Sequence, residues 1–218
     1  MNRSMTLREA KEITGHATGL GKPSKMPGYS TSLPAKACKV GQRLAKIAGS
    51  VCSRCYADDR GNYSYPSVKL GLSRRLEALG NPEWAEGMIR LISHYTDPND
   101  PYFRIHDSGD IQSVGHLMRW VKIARAIPWV NFWMPTKELR MLKAAKAMVG
   151  NEWPTNLVVR MSAPMLGQVP PKSFDGILSS TVQASMGFEC EAYTRGNKCG
   201  PCRACWSSKV DNIDYHVQ

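Results

Sequence analysis

The sequence lacks the long hydrophobic runs that mark membrane-spanning and exported proteins. None of its apolar stretches approaches the roughly 20 residues that a transmembrane helix requires. The first 30 residues contain no apolar core of the kind found in a secretory signal. We therefore expect a protein without membrane contact that stays in a reducing cytoplasm. In that compartment clustered cysteines serve as metal ligands more often than they form disulfides.

Acidic residues are scarce compared with basic ones. The 218 residues include 18 Asp and Glu but 29 Lys and Arg, which gives a formal charge of +11. Such a balance favours anionic partners, and contact with nucleic acid is one interpretation. The basic residues are scattered, however, and their excess would equally keep the protein soluble or offset an anionic metal cluster. The charge does not decide between these roles, and it predicts no oligomeric state.

A phosphate-binding loop is also absent, although residues 15–24 superficially resemble one. His16 occupies the position of an essential glycine, and Pro23 occupies the position where Ser or Thr is required. Glycine and proline recur throughout residues 1–35. We therefore predict an irregular N-terminal segment there, with one short helix over residues 6–13.

Seven cysteines are present, and all of them fall into two groups. The first group is spaced C-x13-C-x2-C and the second is spaced C-x8-C-x2-C-x2-C. Two intervening residues let a pair of thiolates point into one turn and hold one metal centre. Buried thiols or disulfides are the alternative, but an odd total fits thiolate ligands better. The predicted metal ligands are Cys38, Cys52 and Cys55 in the first group and Cys190, Cys199, Cys202 and Cys205 in the second.

The two groups differ in the number of ligands that they offer. Three thiolates suit a 4Fe–4S cluster in which one iron is left for a small molecule or for a protein oxygen or nitrogen. Four thiolates complete a site by themselves, and all-thiolate coordination fits either iron or zinc. We therefore predict one or two iron–sulfur clusters, with zinc as the alternative in the second group. A further interpretation is that a cysteine of one group completes the site of the other.

The central part of the chain alternates between strand and helix patterns. Strands are predicted over residues 101–106, 129–134, 156–162 and 174–181. Helices are predicted to begin near Ser67, Pro82, Ser113 and Thr136. This order is typical of βαβ units on a parallel sheet. We predict an α/β domain over residues 36–185, which includes the first cysteine group, and a cysteine-rich metal-binding tail over residues 186–218.

Polar residues follow the predicted strands at their ends. In parallel α/β folds, ligands bind beyond the carboxyl ends of the strands, so we expect a small-molecule site there. The predicted catalytic residues are His106, Asp107, Asp110 and Arg160. The predicted cofactor-binding residues are Tyr56, Ser108, Lys137 and Ser162.

Simpler explanations exist for some of these residues. Asp110 is also a natural helix cap, Lys137 is also suited to a first-turn pair with Glu138, and Tyr56 would either shield a cluster or simply pack. Arg160 is harder to explain in this way, because a charge within a buried strand requires a partner. We expect that partner to be a carboxylate, either of a substrate or of Asp107.

A resemblance to a known family is carried by CSRCYA, FRIHDSGD, NFWMPTKE, NLVVRMSA and GNKCGPCRACW. In these motifs the chain resembles the phage "gene product 88" family over residues 25–210, which implies a bacteriophage-type protein of the host cytoplasm. More distantly, the layout resembles the radical SAM enzymes. That resemblance implies a partial (β/α) barrel of five or six strands. It also implies a 4Fe–4S cluster that is held by three cysteines and binds S-adenosylmethionine at its fourth iron.

The radical SAM motif has the spacing C-x3-C-x2-C, whereas the first gap in this chain is thirteen residues. The HDSGD turn at residues 106–110 stands where those enzymes have a loop that binds the methionine amine. Two hypotheses follow. The first is an iron–sulfur enzyme of radical SAM-like or redox type with an unknown substrate. The second is a zinc-stabilised nucleic-acid-binding protein in which both cysteine groups are structural.

Overall fold

Seven short strands, all parallel, form one sheet in the computed structural model, which describes residues 4–216. In chain order the strands are β1 (Tyr29–Ser30), β2 (Tyr102–Arg104), β3 (Asn131–Thr136), β4 (Leu157–Ser162), β5 (Ser179–Val182), β6 (Phe188–Glu189) and β7 (Asn212–Tyr215). The helices are α1 (Leu7–Thr14), α2 (Lys39–Leu44), α3 (Pro66–Ala78), α4 (Trp84–Tyr95), α5 (Val114–Ala126) and α6 (Leu139–Val149). Short 3-10 turns lie at Ala35–Ala37, Val51–Arg54, Gly61–Ser64, Gly150–Glu152, Lys172–Phe174, Glu191–Arg195 and Ala204–Trp206.

Helices α1 and α5 begin at a polar side chain that accepts a backbone N–H of the first turn. Ser113 caps α5 as predicted, since its hydroxyl accepts from the backbone N–H of His116 at 3.0 Å. Helix α6 begins three residues later than predicted, because Thr136 is the last residue of β3. The strand predicted over residues 174–181 is shortened to β5 for a similar reason, since its first residue ends a 3-10 turn.

The two faces of the sheet are covered differently. Alternate strand residues such as Phe103, Phe132 and Met161 pack against the helices in the main hydrophobic core. The residues between them face the other side, where Trp133 and Val158 form a smaller buried cluster with Trp206, Cys205 and Tyr215. We call this side the second face, and its cover comes largely from the cysteine-rich end of the chain.

The sheet is open, so the predicted partial barrel is not confirmed. The strand order is β1-β2-β3-β4-β5-β7-β6, and β1 and β6 are its two edges. The sheet has seven strands instead of the expected five or six, because both ends of the chain contribute strands of their own. Residues 1–35 supply β1, and residues 186–218 supply β6 and β7. Among residues 4–216, no helix is both long and apolar enough to cross a membrane.

Candidate functional site

The first cysteine group lies at the carboxyl edge of the sheet, which we call the strand-end edge. Its loop is fastened to the residues that follow β3 and β4. The backbone N–H of Val40 donates to Glu138 Oε1 at 2.9 Å. The backbone N–H of Val51 donates to the carbonyl of Pro164 at 2.9 Å. These bonds hold the cysteine loop where a parallel α/β sheet binds its ligands.

Within this loop the cysteines are held by short helical turns. Ser50 is buried and caps the turn Val51–Arg54, because its hydroxyl accepts from the N–H of Ser53 at 3.0 Å. Cys52 lies inside that turn, and Cys55 directly follows it. Cys38 occupies the cap position of α2.

The backbone of Gly41 marks the point where two of the thiols meet. A Cβ atom placed there would lie 2.9 Å from the Cβ of Cys38 and 3.7 Å from the Sγ atoms of both Cys38 and Cys52. A side chain on Gly41 would therefore fill the space between the two sulfurs. Glycine leaves that space to whatever the thiols bind.

Burial and neighbouring charges favour the protonated thiols of Cys38 and Cys52 in the absence of a metal. Burial, together with Asp110 and the other two cysteines, raises the pKa of Cys38 to about 12. Burial also raises the pKa of Cys52, against the opposing effect of the Lys137 ammonium group. A bound metal would have to displace the protons of these thiols.

The donor set of the first group fits an iron–sulfur cluster. It consists of three thiols without a histidine, and two of them, those of Cys38 and Cys52, meet beside Gly41. All seven cysteines are unpaired and partly buried. In residues 4–216, no group of three or more His, Cys, Asp or Glu side chains is arranged as the ligands of one metal ion.

Lys137 lies beside the first cysteine group and closes the strand-end edge from β3. Its ammonium group donates to the carbonyls of Ala163 at 3.0 Å and Ser162 at 3.4 Å. Burial lowers its pKa, while Cys52 and Asp110 oppose that effect. The Ser162 hydroxyl faces the second face, where it accepts from Ser180 at 3.4 Å. Lys137 is thus a positive charge placed beside the thiols.

Asp107 is the centre of the polar turn that follows β2. Its carboxylate accepts hydrogen bonds from the hydroxyls of Ser30, at 3.1 Å, and Ser32. Its backbone carbonyl accepts from the hydroxyl of Tyr56. The carboxylate therefore ties the ends of β1 and β2 together, and Tyr56 ties this turn to the first cysteine group.

Tyr63 and Arg75 lie on the outer side of Asp107. Burial and the nearby Asp107 charge raise the pKa of Tyr63. Burial lowers the pKa of Arg75, and Asp107 opposes that effect. The Nε atom of Arg75 is buried and has no hydrogen-bond partner within residues 4–216. Neither residue was among those predicted, because Tyr63 and Arg75 reach the site only through the folding of the loop and of α3.

The other predicted residues of this turn have structural bonds. Asp110 does not cap α5; it joins the ends of β2 and β3, where it accepts from the Thr136 hydroxyl at 2.6 Å and the Lys137 N–H at 2.9 Å. Burial is the main reason that its pKa is raised to about 6. The Ser108 hydroxyl donates to the carbonyl of Leu33 at 2.9 Å.

His106 is buried on the helix side of the sheet, away from the cysteines. Its ring centroid lies 5.3 Å from that of His116 and 6.3 Å from that of Trp120. Burial lowers its pKa well below the ordinary value. Its backbone has a φ of 61°, so the residue forms the sharp turn that sends the chain into Asp107.

The second cysteine group lies over the second face of the sheet. The N–H of Cys190 donates to the carbonyl of Asp214 at 2.8 Å, and the N–H of Cys199 donates to Lys25 at 2.9 Å. The Sγ atom of Cys205 lies 3.1 Å from the hydroxyl of Tyr215 in β7. Burial is the main reason that the pKa of Cys205 is raised to about 12, and Cys190 and Cys199 raise it as well.

Burial is the main reason that the pKa of Cys199 is raised, and the charges of Cys190 and Cys202 raise it further. The N–H of Cys202 also donates to the carbonyl of Cys199 at 3.2 Å. Their segment is bound both to the N-terminal segment and to the last strand, so it belongs to the fold rather than to a loose tail.

Arg160 has a different partner from the one expected. It is fully buried in β4, and within residues 4–216 its guanidinium forms no ion pair with a carboxylate. Its N–H groups donate to the backbone carbonyls of Ser179, Ala204, Cys205, Ser207, Val210 and Asp211 at 2.5–3.4 Å. Asp107, one of the two partners expected for Arg160, is therefore not its partner. All five donors of the side chain are used to hold the second cysteine segment on the sheet.

Arg104 is a functional candidate that the sequence analysis missed. Its guanidinium lies over the ring of Trp133 at 4.8 Å, and its Nη2 atom is 3.5 Å from the Tyr56 hydroxyl. Burial opposes its charge, but Tyr56 and Asp107 raise its pKa above the ordinary value. The sequence contains a signal for this position. Side chains alternate between the two faces of a strand, so Arg104 must face the same side as Tyr102.

Two surface clefts lie outside the strand-end edge. One, of about 750 Å³, is lined by residues of α1 and α3 and includes none of the cysteines. The other, of about 430 Å³, is lined by Tyr63, Leu72 and residues that precede the first cysteine group. Within it, Asp59 contacts Lys36 at 2.7 Å and Lys69 at 2.8 Å. Neither cleft is lined by any of the seven cysteines.

These features define an α/β protein with an open parallel sheet and two groups of unpaired cysteines, one at the strand-end edge and one over the second face. The sequence profile of the gene product 88 family matches residues 3–166. The chain therefore belongs to the gene product 88 family. The match includes the first cysteine group and the Asp107 turn but ends before the second cysteine group. No curated protein and no solved structure matches the chain.

Proposed function

We propose that Cys38, Cys52 and Cys55 hold a 4Fe–4S cluster and that the protein is an iron–sulfur enzyme of radical SAM-like or redox type. The observation that carries this proposal is that the Sγ atoms of Cys38 and Cys52 both border Gly41 at the strand-end edge, with Cys55 directly after the same turn as Cys52. A cluster with three cysteine ligands leaves one iron for another ligand. The place is also the one at which parallel α/β sheets bind small molecules.

The protein's own residues have distinct roles in this proposal. Cys38, Cys52 and Cys55 lose their protons on binding the metal, and Lys137 offsets part of the resulting negative charge. The carboxylate of Asp107 is oriented by two serine hydroxyls, so it can accept a hydrogen bond from a ligand amine or hydroxyl. The bound cluster would supply one electron to the ligand.

We propose that the second cysteine group binds a second metal centre, either a cluster or zinc, with a structural role. Its four cysteines lie within residues 190–205, and their segment is fixed to the sheet by Arg160 and by Tyr215. Complete thiolate sites of this kind contribute directly to folding. A metal there would stabilise the cover of the second face.

The metal content of anaerobically purified protein tests the first proposal. We expect iron and acid-labile sulfide and a broad absorption that gives a brown colour. Cys52→Ser should lose the iron of the first site with little effect on folding, because that site is left open at one side. Cys202→Ser is the matched variant in the second group, and it should instead lower the stability of the whole fold.

Zinc alone, in protein produced anaerobically with ample iron, would contradict the iron–sulfur proposal. That result would support the alternative, a zinc-stabilised nucleic-acid-binding protein. The alternative also requires affinity for nucleic acid that falls steeply as salt is raised, because counterions are released on binding. Iron that remains in Cys52→Ser at the wild-type level would show that the first group is not the site.

The finer proposal, that S-adenosylmethionine binds the open iron, has a spectroscopic test. Added S-adenosylmethionine should change the electron paramagnetic resonance spectrum of the reduced wild-type protein. Asp107→Asn should weaken this change but keep the iron, because the carboxylate contacts a ligand rather than a metal. Asp97→Asn, on the exposed loop before β2, is the control and should respond as the wild type does.

A wild-type spectrum that does not respond to S-adenosylmethionine would reject this ligand and leave the iron–sulfur proposal intact. Loss of iron from Asp107→Asn would instead make the aspartate a metal ligand. These outcomes separate the identity of the small molecule from the presence of the cluster.

A further inference from the structure

We propose that Arg104 binds an acidic group, a carboxylate or a phosphate, of a small molecule on the second face of the sheet. The proposal does not depend on whether the cysteines hold metal. It rests on the acceptors around the guanidinium and on a comparison with the neighbouring arginines.

The Arg104 guanidinium has few acceptors for its five N–H donors. Its Nη1 atom contacts the sulfur of Met26 at 3.2 Å, and a thioether is a weak acceptor. Its Nη2 atom has one long contact, 3.5 Å, to the Tyr56 hydroxyl. Its Nε atom is buried without a hydrogen-bond partner in residues 4–216. A charged group that is held from water in this way is costly unless an acceptor of its own is supplied.

The nearest carboxylate does not supply that acceptor. Asp107 is close enough to favour the charged form of Arg104, but its oxygens accept from Ser30 and Ser32. Within the described residues, no carboxylate lies within ion-pair distance of Arg104. The cation is thus near a negative charge but not neutralised by contact with it.

Two other arginines beside the second face have acceptors within the protein for their guanidinium groups. Arg160 directs its donors to backbone carbonyls. Arg203 stacks on the ring of Tyr102 at 4.9 Å and also binds the carboxylate of Asp100 at 3.0 Å. Arg104 has the same stacking arrangement, on Trp133, but no carboxylate at its edge. The planar edge of a stacked guanidinium is suited to a bidentate carboxylate or phosphate.

The position of Arg104 also suits a ligand. It lies between Tyr56, which follows the first cysteine group, and Tyr215, which contacts the second group. Tyr56 is 54% exposed, so solvent reaches this end of the site. A small acid entering beside Tyr56 would meet the guanidinium edge while its other end remains at the strand-end edge.

Binding of simple acids to the full chain, purified anaerobically with its own metal content, tests the proposal. The probes are succinate and inorganic phosphate, with the neutral diamide succinamide as the comparison, all at one ionic strength. Calorimetric titration should detect succinate or phosphate but not succinamide. Arg104→Gln should weaken that binding by about tenfold or more, because a charge-assisted pair of hydrogen bonds is lost. Arg104→Lys should retain part of the affinity.

Arg203→Gln is the matched control, since it removes a stacked arginine from the same face but one that is already paired. It should bind the probes as the wild type does. For a case in which Arg104→Gln fails to fold, nuclear magnetic resonance offers a second measurement. The Nε–H signal of Arg104 in the wild-type protein is assigned by its absence from the spectrum of Arg104→Lys. That signal should shift when succinate is added and should not shift when succinamide is added.

Several results would overturn the proposal. They are failure of both acids to bind, equal binding of succinamide, and an equal loss of affinity in Arg203→Gln. A fourth is an Arg104→Gln protein that loses metal from the second cysteine group while its acid binding is unchanged. That result would make Arg104 a counter-charge for the thiolates, because Cys205 and Cys199 lie within its electrostatic reach.

Discussion

Replacing Arg160 with leucine should destabilise the protein by about 3–5 kcal/mol, the cost typical of breaking a buried charged network. The leucine side chain would fill part of the space but donate no hydrogen bond. The carbonyls that now surround the guanidinium, from Ser179 and from residues 204–211, would lose their donors in a buried region. Each buried acceptor left without a partner costs about 1–3 kcal/mol.

Urea unfolding followed by circular dichroism measures this loss. Arg90→Leu is the matched control: Arg90 is exposed on α4, and its Nε atom binds one carbonyl, that of Met5, at 3.1 Å. We expect this change to alter the free energy of unfolding by no more than about 0.5 kcal/mol. Arg160→Lys should fall between the two, because an ammonium group has three donors instead of five.

The same series separates a structural role from a catalytic one. The sequence analysis predicted that Arg160 is catalytic, whereas the structure gives all of its donors to the backbone. Equal stability of Arg160→Leu and Arg90→Leu would mean that these bonds contribute little. An Arg160→Lys protein with wild-type stability but no activity would support a catalytic role for Arg160.

The alternation of strands and helices could be predicted from the sequence because it depends on local patterns. Ser113 before an apolar helical pattern predicted the start of α5, and the valine-rich run at residues 156–162 predicted β4. The edge strands could not be predicted in the same way. Strands β1 and β6 contain two residues each, which is too short for any periodicity. Their pairing is decided by neighbours that are distant in the chain.

The candidate site shows the same division between local and distant information. Cysteine spacing predicted two groups, and the strand-end rule predicted that Asp107 lies at the strand-end edge. Their contact through Tyr56 depends on where the loop lies in three dimensions. The prediction that Asp107 is the partner of Arg160 was wrong, because every residue has a backbone carbonyl and the sequence does not show which carbonyls will surround a side chain. Arg104 was missed because aromatic residues around it made the strand look purely structural.

Replacing Gly28 with alanine should have an effect as large as that of Arg160→Leu, or should prevent folding. Gly28 directly precedes β1 and has a φ of 66°, a conformation that costs other residues about 1–2 kcal/mol. A Cβ atom there would lie 1.7 Å from the carbonyl oxygen of Tyr102 in β2. That oxygen cannot move away freely, because β2 pairs with β1 on one side and β3 on the other. The strain and the overlap together should cost roughly 4 kcal/mol.

The damage should reach the candidate site, because β1 carries Ser30, one of the two serines that orient Asp107. Gly71→Ala is the control for the same chemical change. It lies inside α3, where a Cβ atom would have no heavy atom within 4 Å, so alanine should stabilise the protein by about 0.5–1 kcal/mol. Urea unfolding of both variants measures the difference in sign. A Gly28→Ala protein as stable as the wild type would show that β1 does not pack against β2 as described.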